Sequence, residues 1–170
     1  MFRHASRLAL IAVALVATLT LDARMFAQGA RGARGSAGAS PADPFIGTWR
    51  LDRAKSTFPG AVPEWRTHKF EKVSAGIKHT TQSMVGEVVG TITYTFQFDG
   101  KDYPADAAMA VNTVAFKQVD PSTIERTGKY QGMVTEMVTY KVSPDGKTLT
   151  VTQMILANDT SSVQIFNKEP

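Results

Sequence analysis

The sequence has no cysteine, and what it lacks excludes several classes of protein. Without thiols there can be no disulfide and no lipid-modified N-terminal cysteine, so a folded domain must be stabilised by its core alone. Only three histidines and two tryptophans occur. The longest apolar run, Leu8 to Leu21, has 14 residues, which is short of the about 20 that a membrane-spanning helix needs.

The chain also lacks an excess of either charge over most of its length. Its formal net charge is +4, but from Asp43 onward 14 lysines and arginines face 14 aspartates and glutamates. The excess lies before that point, where five basic residues accompany Asp22 alone. We therefore predict no general attraction of the domain for nucleic acid or for an anionic membrane.

The first 29 residues have the layout of a secretory signal peptide. A basic leader precedes the apolar run, and Ala27-Gln28-Gly29 supplies small residues at the positions that a signal peptidase inspects. We predict cleavage near Gly29, no membrane insertion afterwards, and a secreted or periplasmic protein. Cleavage after Ala23 or Ala27 and an uncleaved anchor are the alternatives.

Residues 30–42 (ARGARGSAGASPA) contain mainly Gly, Ala, Ser and Arg and show no apolar periodicity. This composition is typical of a flexible linker. The remaining residues, 43–170, are enough for one domain with a single core.

Residues 43–170 predict an all-β domain. In Thr91 to Phe98 four large apolar residues alternate with three threonines and a glutamine, the period-2 pattern of a half-buried strand. We predict nine strands, at roughly 45–52, 65–73, 77–85, 91–98, 111–119, 123–130, 134–142, 147–156 and 162–168. Short turns between them favour an antiparallel up-and-down barrel of about 8–10 strands; a two-sheet sandwich is the alternative.

The register of the C-terminal hairpins brings three polar residues onto one apolar face. A four-residue loop over 143–146 would place Glu136 opposite Gln153. A three-residue loop over 131–133 would place Gly128 opposite Glu136 and Arg126 diagonally next to it. Buried charges need partners, so Arg126 would bind Glu136 or the anionic head group of a ligand. The same register places Tyr130 and Val134 on this face.

These residues suggest a ligand-binding barrel that is not an enzyme. We predict a site for a small apolar or amphipathic molecule, with Arg126, Glu136 and Gln153 at its polar end. The expected apolar lining is Tyr94, Phe96, Tyr140, Leu149 and Val151. A filled barrel that serves as a structural or protein-interaction module is the first alternative, and an enzyme that uses Arg126 and Glu136 is the second; the ligand and the oligomeric state stay open.

No motif predicts a metal site, a cofactor or a catalytic centre. His68 and His79 fall on neighbouring strands, but a three-residue turn would put them on opposite faces, and a two-residue turn at Ala75-Gly76 would keep them about four residues apart. We expect no metal there. Asp99, Asp102 and Asp106 lack the spacing of a calcium loop, and Asp99-Gly100 reads as a turn.

The opening of the domain resembles the first strand of the calycin superfamily, which includes the lipocalins and the fatty-acid-binding proteins. The residues that carry the resemblance are Phe45, Gly47, Trp49 and Leu51. Together with Lys55-Ser56-Thr57-Phe58 and Asp145-Gly146-Lys147-Thr148, the pattern is similar to small secreted bacterial proteins with a lipocalin-like domain. The resemblance implies a barrel, a mainly structural role for Trp49, and an enclosed ligand.

Overall fold

The computed structural model describes residues 44–105 and 111–170. The predicted signal peptide (1–29) and the predicted linker (30–42) lie outside the described residues, as does Asp106. The described residues form ten strands: β1 (Gly47–Thr57), β2 (Trp65–Val73), β3 (Gly76–Val85), β4 (Val88–Phe96), β5 (Asp99–Pro104), β6 (Thr113–Asp120), β7 (Thr123–Tyr130), β8 (Met133–Val142), β9 (Thr148–Ile155) and β10 (Thr160–Lys168).

The strands make one antiparallel sheet in the order β4-β3-β2-β1-β10-β9-β8-β7-β6-β5. Strands that are consecutive in sequence pair with each other, with the exception of β4 and β5. In addition, β1 pairs with β10. This is an up-and-down barrel that is nearly closed. The predicted barrel is confirmed, and the sandwich alternative is wrong.

The core follows from the alternation of side chains along these strands. Every second residue points inward, and large aromatic residues dominate the interior. Trp49 is fully buried and donates a hydrogen bond from Nε1 to the carbonyl of Phe45 at 2.8 Å. The other large buried apolar side chains include Phe70, Phe96, Phe116, Ile124, Leu149 and Phe166.

Strand β5 is absent from the nine predicted strands, and the predicted turn at Asp99-Gly100 is wrong. The chain reverses immediately before it, at Gln97-Phe98. Asp99 already pairs with Lys117, and a bulge separates this pair from the pair of Asp102 with Ala115. The Asp99 carboxylate accepts hydrogen bonds from the Lys101 backbone N–H at 3.1 Å and the Tyr103 hydroxyl at 3.0 Å. Asp99, a residue type that is common in turns, therefore accepts hydrogen bonds at a bulge within β5.

The β8–β9 hairpin is shifted by two residues from the predicted register. Glu136 lies opposite Ile155, and Val138 lies opposite Gln153. The hairpin is closed between Ser143 and Thr148 instead of between Val142 and Lys147: the Ser143 N–H donates to the Thr148 carbonyl at 2.8 Å, and the Ser143 hydroxyl accepts from the Thr148 N–H at 2.9 Å. A shift of two leaves each side chain on its predicted face, so Gln153 still points inward.

A register shift in the β7–β8 hairpin corrects two further predictions. Gly128 pairs with Glu136 as predicted, but Lys129 pairs with Val134, so Thr135 is an extra residue on β8. Beyond this bulge the alternation is reset. Tyr130 and Val134, which were predicted to face the core, are exposed.

Among the described residues, no helix is long and apolar enough to cross a membrane.

The tight β2–β3 turn generates a test of the fold. Gly76 has φ 131°, and a Cβ placed on it would lie 2.2 Å from the backbone carbonyl oxygen of Phe96. We expect Gly76→Ala to lower the free energy of unfolding by about 1–3 kcal/mol, because backbone atoms must move. Gly60→Ala is the matched control, since nothing lies within 4 Å of the added methyl group. Equal urea midpoints for the two variants would contradict this geometry.

Candidate functional site

The polar residues predicted from the hairpin register meet inside the barrel. Arg126 on β7 donates a hydrogen bond from Nη2 to Glu136 Oε1 on β8, and the two form a buried ion pair. Gln153 Nε2 donates to Glu136 Oε2 at 2.7 Å. Arg126 Nη1 donates to the Tyr94 hydroxyl at 2.9 Å. Both carboxylate oxygens of Glu136 therefore have donors, as a buried charge requires.

Gly128 makes room for this arrangement. It lies opposite Glu136, and a Cβ at this position would be 2.5 Å from Glu136 Cγ and 2.7 Å from Oε1. The Glu136 side chain therefore lies across Gly128 and reaches Arg126, which is two residues from Gly128 on β7. Sequence analysis placed Gly128 opposite Glu136 but gave the glycine no role.

His68 and His79 are in direct contact, which overturns the prediction that neither turn would bring them together. Their Nδ1 and Nε2 atoms are 2.8 Å apart, and Thr81 Oγ1 lies 2.9 Å from His68 Nδ1. The two-residue turn uses Ser74 and Ala75, so Gly76 belongs to β3. Both rings therefore lie on the inner face, and His79 pairs with Phe70, two residues from His68 along β2.

The histidine pair is neutral at pH 7. Burial, aided by the charge of Arg126, lowers the pKa of His79 to about 3. Burial also lowers the pKa of His68 well below its ordinary value, and His79, Arg66 and Arg126 add to that effect. The His79 ring stacks on Phe70 with 4.1 Å between ring centroids. Within residues 44–105 and 111–170, no group of three or more His, Asp or Glu side chains is placed to hold a metal ion.

Arg66 is the residue that sequence reasoning missed. It lies on β2, and Nη1 donates to Gln164 Oε1 at 2.7 Å, while Gln164 Nε2 donates to Ser162 Oγ at 3.0 Å. Its Nε is buried without a hydrogen-bond partner. No carboxylate in the described part of the chain forms an ion pair with it. The alternation Arg66, His68, Phe70 would have identified it as an inward-facing residue.

A cavity of about 100 Å³, the inner cavity, lies among these groups. Its lining comprises the polar residues Arg66, His68, Thr81, Ser83, Arg126, Gln153 and Gln164 and the apolar or aromatic residues Ile92, Tyr94, Val138, Tyr140 and Val151. A second cavity of about 110 Å³, the outer cavity, shares Arg66, Gln153 and Gln164 and is also lined by Phe58, Pro59 and Ile155. The shared residues place the two cavities side by side.

Five of the seven predicted site residues line the inner cavity: Tyr94, Arg126, Tyr140, Val151 and Gln153. Glu136 is not part of the lining and instead holds Arg126 and Gln153 in place. Phe96 stacks on Phe116 in the core, with 3.5 Å between ring centroids. Leu149, also expected to line a cavity, is fully buried outside this lining. Burial raises the pKa of Tyr140 to about 12, so its hydroxyl is protonated at neutral pH.

Comparison with solved structures shows that fatty acid binding proteins share the fold of this barrel. A Schistosoma mansoni fatty acid binding protein in complex with arachidonic acid matches at TM-score 0.55 and 15% identity, over 77% of this chain and 100% of its own. As-p18, an extracellular fatty acid binding protein, matches at 0.52 and 16%, over 75% and 97%. A mutant of the fluorescent protein UnaG matches at 0.51 and 15%, over 75% and 98%.

Comparison with models of known protein families gives no match. Comparison with curated proteins gives none either. At these identities the structural likeness shows the fold.

The buried ion pair makes an asymmetric prediction about stability. Glu136→Leu leaves Arg126 buried without its counter-charge and should lower the free energy of unfolding by about 3–5 kcal/mol. The double variant Arg126→Met, Glu136→Leu removes both charges and should unfold at a midpoint close to that of the unaltered protein or above it. Urea denaturation followed by tryptophan fluorescence measures both. A single variant as stable as the unaltered protein would mean that the pair is hydrated.

The histidine pair predicts a loss of stability on mild acidification. An unfolded histidine takes up a proton near pH 6.5, whereas the folded pKa of His79 is about 3 and that of His68 is also depressed. Below pH 6.5 the unfolded state therefore binds more protons, and each histidine lowers the free energy of unfolding by up to about 1.4 kcal/mol per pH unit. Between pH 7.5 and 5 we expect a loss of roughly 2 kcal/mol from His79 and a further loss in the same direction from His68.

Urea denaturation across this pH range tests the histidine prediction. The aspartates with lowered pKa, such as Asp52 and Asp99, titrate below the range. His79→Phe, which keeps an aromatic ring against Phe70, should remove the contribution of His79 and leave the pH dependence that His68 causes. Stability that is constant from pH 7.5 to 5 would contradict the burial of both rings.

Proposed function

We propose that this protein binds a small amphipathic molecule with an anionic head group, and that Arg66 is the anchor for that group. The observation that carries the proposal is the state of the Arg66 guanidinium. It faces the inner cavity, its Nε is buried without a partner, and no carboxylate in the described residues pairs with it. A buried cation is costly without an opposite charge.

Arg126, which we first expected to contact the head group, is already neutralised by Glu136. Arg66 differs, since its one side-chain partner is the neutral amide of Gln164. A guanidinium binds a carboxylate or phosphate through two parallel hydrogen bonds. His68 Nε2 and Arg126 Nε are also buried without partners and belong to residues that line the same cavity, so the feature that sets Arg66 apart is its missing counter-charge.

The size and lining of the cavities suggest how such a molecule would fit. At about 100 Å³ the inner cavity has room for a head group, well below the roughly 300–1,000 Å³ typical of drug-sized ligands. The apolar part would extend past Arg66 into the outer cavity, along Phe58 and Ile155. The S. mansoni protein with the same fold is in complex with arachidonic acid, itself a carboxylate with an apolar tail.

We further propose that the protein is secreted or periplasmic and acts by binding, without catalysis. The basic leader, the apolar run of 14 residues and the small residues before Gly29 support export. Both oxygens of Glu136 accept hydrogen bonds, so this carboxylate is not positioned to transfer a proton. The similarity of the sequence pattern to secreted bacterial proteins with a lipocalin-like domain fits this proposal.

The alternative is a filled barrel that serves as a structural or protein-interaction module of the cell envelope. The observation that favours it is the core itself, in which Phe96, Phe116 and Leu149 occupy space that a larger ligand would need. The ligand-binding proposal requires that Arg66 binds an anion, whereas the filled barrel does not.

Titration with an anionic apolar probe tests the proposal. The protein, purified from the periplasm after expression with its own N-terminal segment, is titrated with anilinonaphthalene sulfonate and then with decanoate as competitor. We expect binding that Arg66→Met weakens by about tenfold or more, which corresponds to about 1.4 kcal/mol. Arg53→Met is the matched control, because Arg53 is exposed on β1 and its loss should leave affinity unchanged.

A native mass spectrum of the same preparation provides an independent readout. Adduct mass that disappears on denaturation, and is absent from Arg66→Met, would support an occupied cavity. No adduct and no probe binding would favour the filled barrel. Probe binding that is equal in both arginine variants would contradict the role of Arg66.

A further inference from the structure

The nearly closed barrel has two strand edges that do not pair with each other. Among the residues that the structure describes, β4 forms a strand ladder only with β3, and β5 forms one only with β6. In an antiparallel strand, alternate residues direct their N–H and C=O groups away from the bonded neighbour. Each edge therefore presents a row of backbone groups that can bond to another strand.

The edge of β5 carries the features that natural proteins use to prevent strand addition. The strand has only six residues, and three of them are the charged Asp99, Lys101 and Asp102. A bulge interrupts its register with β6, and Pro104, which has no N–H, is its last residue. This edge is a poor template for a further strand.

The edge of β4 carries none of these features. Its nine residues, VVGTITYTF, include no charge and no proline. All nine pair with β3 in one continuous register without a bulge. Val88 is 72% exposed and Val89 is 58% exposed; an exposed, regular and apolar edge of this kind readily accepts a partner strand.

We propose that β4 pairs antiparallel with β4 of a second copy of this chain, so that the protein forms a two-fold symmetric dimer. A register centred on Thr91 places Thr91 opposite its own copy and Val89 opposite Thr93 of the partner. Threonine pairs and pairs of β-branched residues stabilise antiparallel sheets. Because β4 carries no charge, pairing it with itself opposes no like charges.

The contrast between the two edges explains why association stops at two copies. Pairing of β4 with β4 uses the same surface on both molecules and leaves only the β5 edges unpaired. Pairing of β4 with β5 would be head-to-tail and could continue into a filament. The charges, the bulge and Pro104 of β5 oppose that second mode.

Sedimentation velocity of the full chain over a concentration series tests the dimer. We expect reversible dimerisation that Thr91→Lys weakens by about tenfold or more, because two lysines would then face each other across the two-fold axis. Thr152→Lys is the matched control: it adds the same charge at an exposed threonine, on the inner strand β9. Equal effects of the two substitutions, or a monomer at all concentrations, would overturn the proposal.

Because the chain has no cysteine, a single introduced thiol reports the register directly. Directly opposite residues in antiparallel strands have Cα atoms about 4.5–5.5 Å apart, within the range that a disulfide spans. We expect Thr91→Cys to form a disulfide-linked dimer under mild oxidation and Thr152→Cys to form none. A peptide that binds to the β4 edge of a chain that stays monomeric would also overturn the proposal, since the partner would then be another protein.

Discussion

The interior of this barrel depends on the neutralisation of one buried guanidinium. Arg126 is placed among aromatic rings, where an unpaired charge would remove a large part of the about 5–15 kcal/mol by which a single domain is stable. Glu136 reaches it only because Gly128 lies opposite and leaves space. Gln153 donates a further hydrogen bond to Glu136 and Tyr94 accepts one from Arg126, while Arg126 Nε is buried without a partner. Four strands thereby hold one polar network in a fixed geometry.

The same positive charge determines the state of its neighbours. His68 and His79 stay neutral, first because they are buried and then because a second cation beside Arg126 would be repelled. Two neutral imidazoles can share a hydrogen bond, in which one ring donates and the other accepts. Arg66 has no such compensation. The described barrel therefore carries one arginine with a counter-charge and one without, and the proposed binding site rests on this asymmetry.

Much of the fold could be predicted from alternation, whereas the registers could not. The period-2 pattern of residues 91–98 placed Tyr94 and Phe96 on the inner face correctly. The β8–β9 register is shifted by two because Ser143 closes the hairpin against Thr148, and nothing in the apolar pattern indicates the side-chain bond that Ser143 makes. The contact of the histidines depended on whether Gly76 belongs to the turn or to the strand. Arg66 was missed because a charged residue at the start of β2 gives no apolar signal of an inward-facing position, although it shares a face with His68 and Phe70.

The pairing of β1 with β10 has a consequence for the order of folding. All other pairs join strands that are adjacent in sequence and can form as local hairpins, but Trp49 lies opposite Lys168. Contacts so distant in sequence form slowly, because a long loop must close first. During synthesis one edge of β1 therefore stays unpaired until the nine residues of β10 are available. The domain can complete its barrel only as a whole chain.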